Sequence, residues 1–275
     1  MSEANQTTFR ADLLAGKTAF ISGGTSGINL GIAKRFVSLG ARVAVLGRNP
    51  EKAKRAAEEI DRECGVEGSL ALTADVRDYG AVDAAFSTAV AELGKLDILI
   101  AGQAGNFPAL ALGMSANAFK AVIEIDLIGT FNLFRAGHQH LNLPGARLIA
   151  ITAGQAVKPT PLQSHVCAAK AGINILVKTL AIEWGPMGIT VNGISPGPIE
   201  DTEGMARLAP TPEAEAAVRV SAPLGRFGRK DEIGDAAVYL CSPAGQYVTG
   251  TILDVDGGTG AGSATSVRAM TRATV

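Results

Sequence analysis

Short apolar runs alternate with longer stretches of helical periodicity along most of the chain. Continuous apolar runs bounded by turn residues fit strands buried on both faces, and intervening helices supply the crossovers that parallel strands need. Predicted strands are Lys17–Ser22 (KTAFIS), Arg42–Leu46 (RVAVL), Ser69–Thr73, Leu96–Ile100 (LDILI), Arg147–Ile151 (RLIAI), Thr190–Ile194 and Thr251–Val255. Helices are predicted over Ile28–Leu39, Glu51–Cys64, near Ala81–Leu93, over about Asn117–Leu141, from about Ser164 to Trp184, and over Lys230–Cys241. The alternation predicts an α/β fold, a doubly wound parallel sheet with helices on both faces. The Pro/Gly-rich stretch Ser195–Pro223 is too long for an ordinary connector and reads as a lid or binding loop. With no repeat and no linker composition, residues 1–275 read as one domain, 1–13 and 259–275 being peripheral tails.

Composition narrows the class. A chain that is 47% hydrophobic and 19% charged is not disordered, and 33 aperiodic glycines in 275 residues exclude collagen. The balance of 25 Lys+Arg against 26 Asp+Glu predicts neither a nucleic-acid partner nor a membrane surface. No apolar run is expected to reach the roughly 20 residues that span a bilayer. The polar start MSEANQTTFRADLLAGK is not a secretory signal, and the last residues do not spell a peroxisomal Ser-Lys-Leu address. Cys64, Cys167 and Cys241 show no CxxC spacing, so neither a disulfide framework nor a metal site is expected. The cytoplasm is the expected compartment.

The first candidate chemistry lies directly after strand one, in Ser22-Gly23-Gly24-Thr25-Ser26-Gly27-Ile28-Asn29-Leu30-Gly31. Glycines between a strand and a helix let the backbone approach a pyrophosphate at the helix N-terminus, where amides and the dipole favour anions. Gly23, Thr25, Ser26, Gly27 and Ile28 are therefore cofactor-binding candidates. At the end of strand two a site for NAD normally offers a carboxylate to the ribose 2′-hydroxyl. This chain offers Gly47-Arg48-Asn49 instead. Arg48, with Asn49, can pair with a 2′-phosphate, which selects NADP(H); the alternative is a merely solvated arginine. Asp75-Val76 after strand three suits the adenine ring, as would any acidic loop residue placed there.

With that turn, the Lys170 helix and the segment Pro196-Gly197-Pro198-Ile199, the chain resembles the short-chain dehydrogenase/reductase family over about Leu14–Gly258. The resemblance implies a single Rossmann-type sheet of about seven strands and usually a homotetramer. Most of that family uses a Ser–Tyr–Lys triad. Counting back from Lys170 puts Val166 in the Tyr position and Ala153 in the Ser position, and neither donates a proton. Further departures are Ala101-Gly102-Gln103-Ala104-Gly105 in place of Asn-Asn-Ala-Gly, Asn29 in place of the last turn glycine, and Asp126 where most members carry Asn. The 2,4-dienoyl-CoA reductase branch is the closer resemblance, through Ala104-Gly105-Asn106-Phe107, Asn117-Ala118-Phe119-Lys120, Ile125-Asp126, Gly129-Thr130-Phe131, Ala181-Ile182-Glu183-Trp184-Gly185-Pro186 and Thr202-Glu203-Gly204. Its peroxisomal type also lacks the triad Tyr and carries Asp at the Asn position and His at the place of His165. The mitochondrial type uses a Tyr aligned with Gln155, so that donor is absent as well.

The resemblance implies NADPH-dependent reduction of a conjugated dienoyl thioester, CoA- or carrier-protein-linked, followed by protonation of the dienolate. It gives Lys170 to the nicotinamide ribose, Asn106 to the thioester oxygen, and Asp126 with Asp256 to the donor water. Asp256 could instead cap the turn before Gly257-Gly258, and Asn106 could be a turn-former. Pro196, Gly197, Ile199 and Thr202 would contact the nicotinamide carboxamide, with Glu203–Pro223 as the acyl lid. His138 and His140, two apart on a helix, do not share a face and make no metal pair. His165 reads as a satisfied or exposed helix residue, with a catalytic role the alternative, and Trp184 as core. Two further functions stay open: a catalytically silent NADP(H)-binding sensor or subunit, and a secondary-metabolism reductase or isomerase with another substrate.

Overall fold

The computed structural model describes residues 8–263. Seven strands form one fully parallel sheet in the order β3-β2-β1-β4-β5-β6-β7. They are β1 (Thr18–Ser22), β2 (Arg42–Gly47), β3 (Leu70–Thr73), β4 (Ile98–Ala101), β5 (Arg147–Ile151), β6 (Thr190–Pro196) and β7 (Ile252–Val255). The central strands are mostly apolar because both faces are covered. Phe20, Leu99 and Leu148 point into one layer, with Phe86, Phe134, Ile173 and Val177. Their neighbours Ile21, Ile100 and Ile149 point into the other, with Ile32, Phe36, Ile60 and Val238. The period of two divides one apolar run between two cores.

The first layer holds α3 (Tyr79–Leu93), α5 (Gly129–Gly137) and α6 (Ser164–Trp184); the second holds α1 (Gly27–Val37), α2 (Pro50–Cys64) and α9 (Lys230–Cys241). In α2 the buried residues Ala53, Ala56, Ala57 and Ile60 recur at helical spacing, and Asn49 Oδ1 caps the helix by accepting from Lys52 N–H at 2.9 Å. Of the expected tails, 1–7 and 264–275 lie outside the described residues, whereas Phe9 and Leu13 pack against the second core.

Two expectations are corrected. The single helix over Asn117–Leu141 is instead α4 (Ala116–Ile123), a π-helical turn Glu124–Ile128, α5, and a 3₁₀ turn His138–His140. Asp126 lies buried in the wide π turn, where its carboxylate meets the Gly105 N–H and Lys170. Ser195–Pro223 is not all loop: Thr202 and Thr211 cap two short helices, α7 (Glu203–Leu208) and α8 (Pro212–Ser221), by accepting from Met205 N–H and Ala214 N–H. As expected, no uninterrupted apolar run of bilayer-spanning length occurs among the described residues, although Ser164–Met187, broken by Lys170, Lys178 and Glu183, is long and apolar enough to cross a bilayer by length and composition. Its apolar content has another cause here, since Val166, Ala169, Ile173, Val177 and Leu180 line a buried face of α6.

Candidate active site

Strand order reverses between β1 and β4, so the chain leaves these neighbours in opposite directions and opens a crevice at their C-terminal ends. The glycine turn after β1 and the Gly102–Phe107 segment after β4 meet there. Gly23 has φ +68°, and a Cβ on it would stand 2.8 Å from the Gly102 carbonyl carbon, so only glycine lets the two segments touch. Asn29 locks them by donating from Nδ2 to the Gly102 carbonyl at 2.7 Å. A Cβ at Gly102 would overlap that amide, so Asn29 and Gly102 are matched departures from the family pattern.

The N-terminus of α1 suits a pyrophosphate. Ser26 precedes the helix in an extended conformation and makes no side-chain cap, and Gly27 at φ +58° faces open space. The amides of the first turn are left for an anionic ligand. Thr25, Ser26, Gly27 and Ile28 are all half-buried at this turn. Arg48 is exposed just past β2, where no carboxylate precedes it. Asn49 spends its side-chain oxygen on the α2 cap. Asp75 is clamped by Arg77, whose Nε and Nη2 donate to its two oxygens at 3.0 and 2.6 Å, and these bonds hold its carboxyl below the usual range. Val76 is buried beside it. These residues fit a dinucleotide, with the donor end at α1 and the cation at Arg48.

Deeper in the crevice Lys170 and Asp126 form a buried ion pair, Nζ to Oδ2 at 3.3 Å. Lys170 is 5% exposed and Asp126 0%. The ammonium also donates to the Ile151 carbonyl at 3.0 Å. Gly105 N–H donates to Asp126 Oδ1 at 2.7 Å, while Oδ2 is buried without a hydrogen-bond partner. A relay absent from the predicted site runs behind the pair: Ser22 Oγ donates to Gln103 Oε1, Gln103 Nε2 to Thr130 Oγ1, and Thr130 Oγ1 to the Asp126 carbonyl. The one signal for it in the chain was Gln103 itself, standing inside the altered Asn-Asn-Ala-Gly turn. Asn106 is exposed one residue beyond Gly105. Val166, at the family's Tyr position, is buried with Val122 and Ala169, and Ala153 is half-buried.

Asp256 takes the turn role. Its carboxylate accepts from Gly258 N–H at 2.8 Å, Gly260 N–H at 2.6 Å and Thr259 Oγ1 at 3.1 Å. Asp256 is thus held by its own turn, and Asp126 by the Gly105 amide. The close pass of Gly197 over the Asp256 backbone, where a Cβ would collide, ties that turn to the end of β6. Pro196 ends β6 and Ile199 is buried just after it, bridging to Gly228. The Thr202 hydroxyl donates to the Ile199 carbonyl at 2.8 Å while capping α7, so it stiffens this corner. Lys52 reaches Glu203 of α7 at 3.5 Å.

The remaining histidines separate. His138 lies against Trp184 and His140 against Phe86, so they face different partners. His165 is neither satisfied nor exposed: it is fully buried with both ring nitrogens unpartnered.

A phosphate-ready turn at the switch point of a parallel sheet defines the class, a dinucleotide-binding α/β protein. Residues 23–260 match the family model described as enoyl-(acyl carrier protein) reductase. The peroxisomal 2,4-dienoyl-CoA reductase of Saccharomyces cerevisiae, named as (3E)-enoyl-CoA-producing, is 41% identical over 253 residues, covering 91% of this chain and 86% of that protein. A probable 2,4-dienoyl-CoA reductase of Bacillus subtilis, named as (2E)-enoyl-CoA-producing, is 39% identical over 254 residues, covering 88% and 96%. Among solved structures, a 7α-hydroxysteroid dehydrogenase complexed with NADH and a 7-oxo bile acid superposes with a TM-score of 0.84 at 32% identity, covering 91% and 98%. The chain belongs to the short-chain dehydrogenase/reductase family and is an oxidoreductase using a nicotinamide cofactor.

Proposed function

We propose that this protein is an NADPH-dependent reductase of an unsaturated acyl thioester, with a 2,4-dienoyl-CoA as substrate and a 3-enoyl-CoA as product. The observation carrying this reading is the buried Lys170–Asp126 pair in a crevice whose Tyr and Ser positions hold Val166 and Ala153. A ketone-reducing relay needs a hydroxyl at those positions to protonate the product oxygen. A conjugated thioester needs something else: a donor to its oxygen and a proton for carbon.

NADPH, held by the residues named below, would supply a hydride to C5 of the conjugated system. The electron pair moves through C3–C4 toward C2 and the thioester oxygen. Asn106, on the rim, donates its amide hydrogens to that oxygen. Lys170 keeps the local potential positive and holds the ribose hydroxyls. Asp126 Oδ2, buried and without a hydrogen-bond partner, orders the water that protonates C2, leaving the double bond at C3–C4. One hydride and one water-derived proton are consumed per turnover. Arg48 takes the 2′-phosphate, the α1 turn the pyrophosphate, Asp75-Val76 the adenine, and Pro196, Gly197, Ile199 and Thr202 the carboxamide end. Asp256 supports that corner through its turn, and α7–α8 cover the acyl part.

We assign the protein to the cytoplasm as one 1–275 domain assembled into a homotetramer. Three unpaired cysteines support the compartment. The exposed Ile128, Phe131, Ile175 and Ile182, on the adjoining π turn, α5 and α6, support a buried subunit face. The test is the identity of the product formed from a trans-2,trans-4-dienoyl-CoA and NADPH. A 3-enoyl thioester is expected. A 2-enoyl thioester would move protonation to C4 and remove the water held by Asp126 from the mechanism.

A further inference from the structure

One buried group on α6 has no part in the chemistry above. His165, in the first turn of α6, is fully buried, and neither Nδ1 nor Nε2 finds a hydrogen-bond partner. What the imidazole does have is a ring contact. It lies 4.4 Å from the ring of Phe107, tilted by 35°, and Phe107 packs with the small apolar cluster of Val122, Ile123, Val166 and Ala169.

Phe107 directly follows Asn106, and Gly105 directly precedes it. The Gly105 N–H is fixed on Asp126 Oδ1 at 2.7 Å. The loop is thus held at residue 105 by a carboxylate on the π turn and at residue 107 by an imidazole on α6. Asn106 stands between these two attachments with its own side chain exposed. Fixing the backbone on both sides removes most of the freedom that an exposed loop asparagine would keep.

We propose that His165 is a positioning residue for Asn106. Its ring, rather than its nitrogens, holds Phe107 against α6 and so presents the Asn106 amide to the thioester oxygen. The inference rests on the role given to Asn106 under the proposed function, and two separate readouts keep the two ideas apart.

The first readout is amide hydrogen exchange of the segment 104–107 in the full chain, without substrate. His165→Ala is expected to speed exchange of the Gly105 amide by about tenfold, the worth of one aromatic contact, while His165→Phe leaves it slow. His165→Leu, which keeps apolar volume, serves in place of the alanine variant if that one does not fold. The second readout is steady-state reduction of a dienoyl-CoA. His165→Ala should lower kcat about tenfold or more with NADPH affinity unchanged, His165→Phe should restore it, and His165→Ala should add almost nothing to Asn106→Ala. Faster exchange in a protein that does not reduce dienoyl-CoA would keep the clamp and discard the proposed reaction. Unchanged exchange in His165→Ala, or a His165→Phe variant as impaired as His165→Ala, would overturn the inference.

Discussion

The Lys170 ammonium and the Asp126 carboxylate face each other at 3.3 Å, both removed from solvent. Each has lost its hydration, and each depends on the other to offset that loss. Removing one charge strands its partner. Asp126→Asn is therefore expected to cost about 3 kcal/mol of stability and to lower turnover by roughly a hundredfold, with NADPH binding retained. Asp126→Asn combined with Lys170→Met should regain part of the lost stability without regaining turnover. Denaturant unfolding of the three variants beside wild type measures the first effect, and NADPH oxidation the second.

Arg48 should decide between the two nicotinamide dinucleotides. A charge-assisted bond to phosphate contributes about 1.5–3 kcal/mol, so Arg48→Ala should weaken NADPH by about ten- to hundredfold and leave NADH within about twofold. Titration of both cofactors by intrinsic fluorescence reads this directly. A wild-type protein that binds NADH more tightly than NADPH would refute the role of Arg48.

Asn29 and Gly102 form a matched pair, because the amide of one fills the space a Cβ on the other would need. Gly102→Ala should destabilise by about 1–3 kcal/mol, the usual cost of overpacking. Adding Asn29→Gly should relieve most of that cost, although Asn29→Gly alone also destabilises by losing its bond to the Gly102 carbonyl. A double-mutant cycle on urea unfolding gives the coupling, and additive losses would disprove the interlock.

Acid should act on the first turn of α9, where Glu232 stands. Two guanidinium bonds from Arg226 and the Arg229 N–H hold the Glu232 carboxyl down at about 2, from an ordinary 4.5. A folded-state value below the unfolded one stabilises the fold fully above the unfolded value and is lost as pH falls toward the folded one. The stability gap between wild type and Glu232→Gln should be constant near neutrality and shrink between pH 4.5 and about 2. Unfolding midpoints across that range provide the check, and a constant gap at every pH would contradict it.

Much of the fold was legible because its signals are local. The split of Phe20/Ile21, Leu99/Ile100 and Leu148/Ile149 between two cores follows from strand periodicity alone. So did the phosphate turn, which needs only glycines between a strand and a helix. The break at Glu124–Ile128 was not legible, since a π turn has no residue signature and is stabilised by what Asp126 reaches across the chain. The Asp126–Lys170 contact itself joins residues 44 positions apart in sequence (170 − 126), and only the fold brings them together. Asp256 reads both ways in the sequence, since an acidic residue before two glycines serves its own turn as readily as a distant site, and the structure shows the turn bonds. The burial of His165 was hidden because the chain around it, Ser164-His165-Val166-Cys167, reads equally well as an exposed helix start.

The most direct test is NADPH oxidation by the purified protein with a trans-2,trans-4-dienoyl-CoA, run beside a 3-ketoacyl-CoA. A site with Asp126 and Lys170 but no phenol predicts rapid turnover of the dienoyl thioester and none of the ketone. Reduction of the ketoacyl thioester, or tight NADPH binding with turnover of neither, would contradict it.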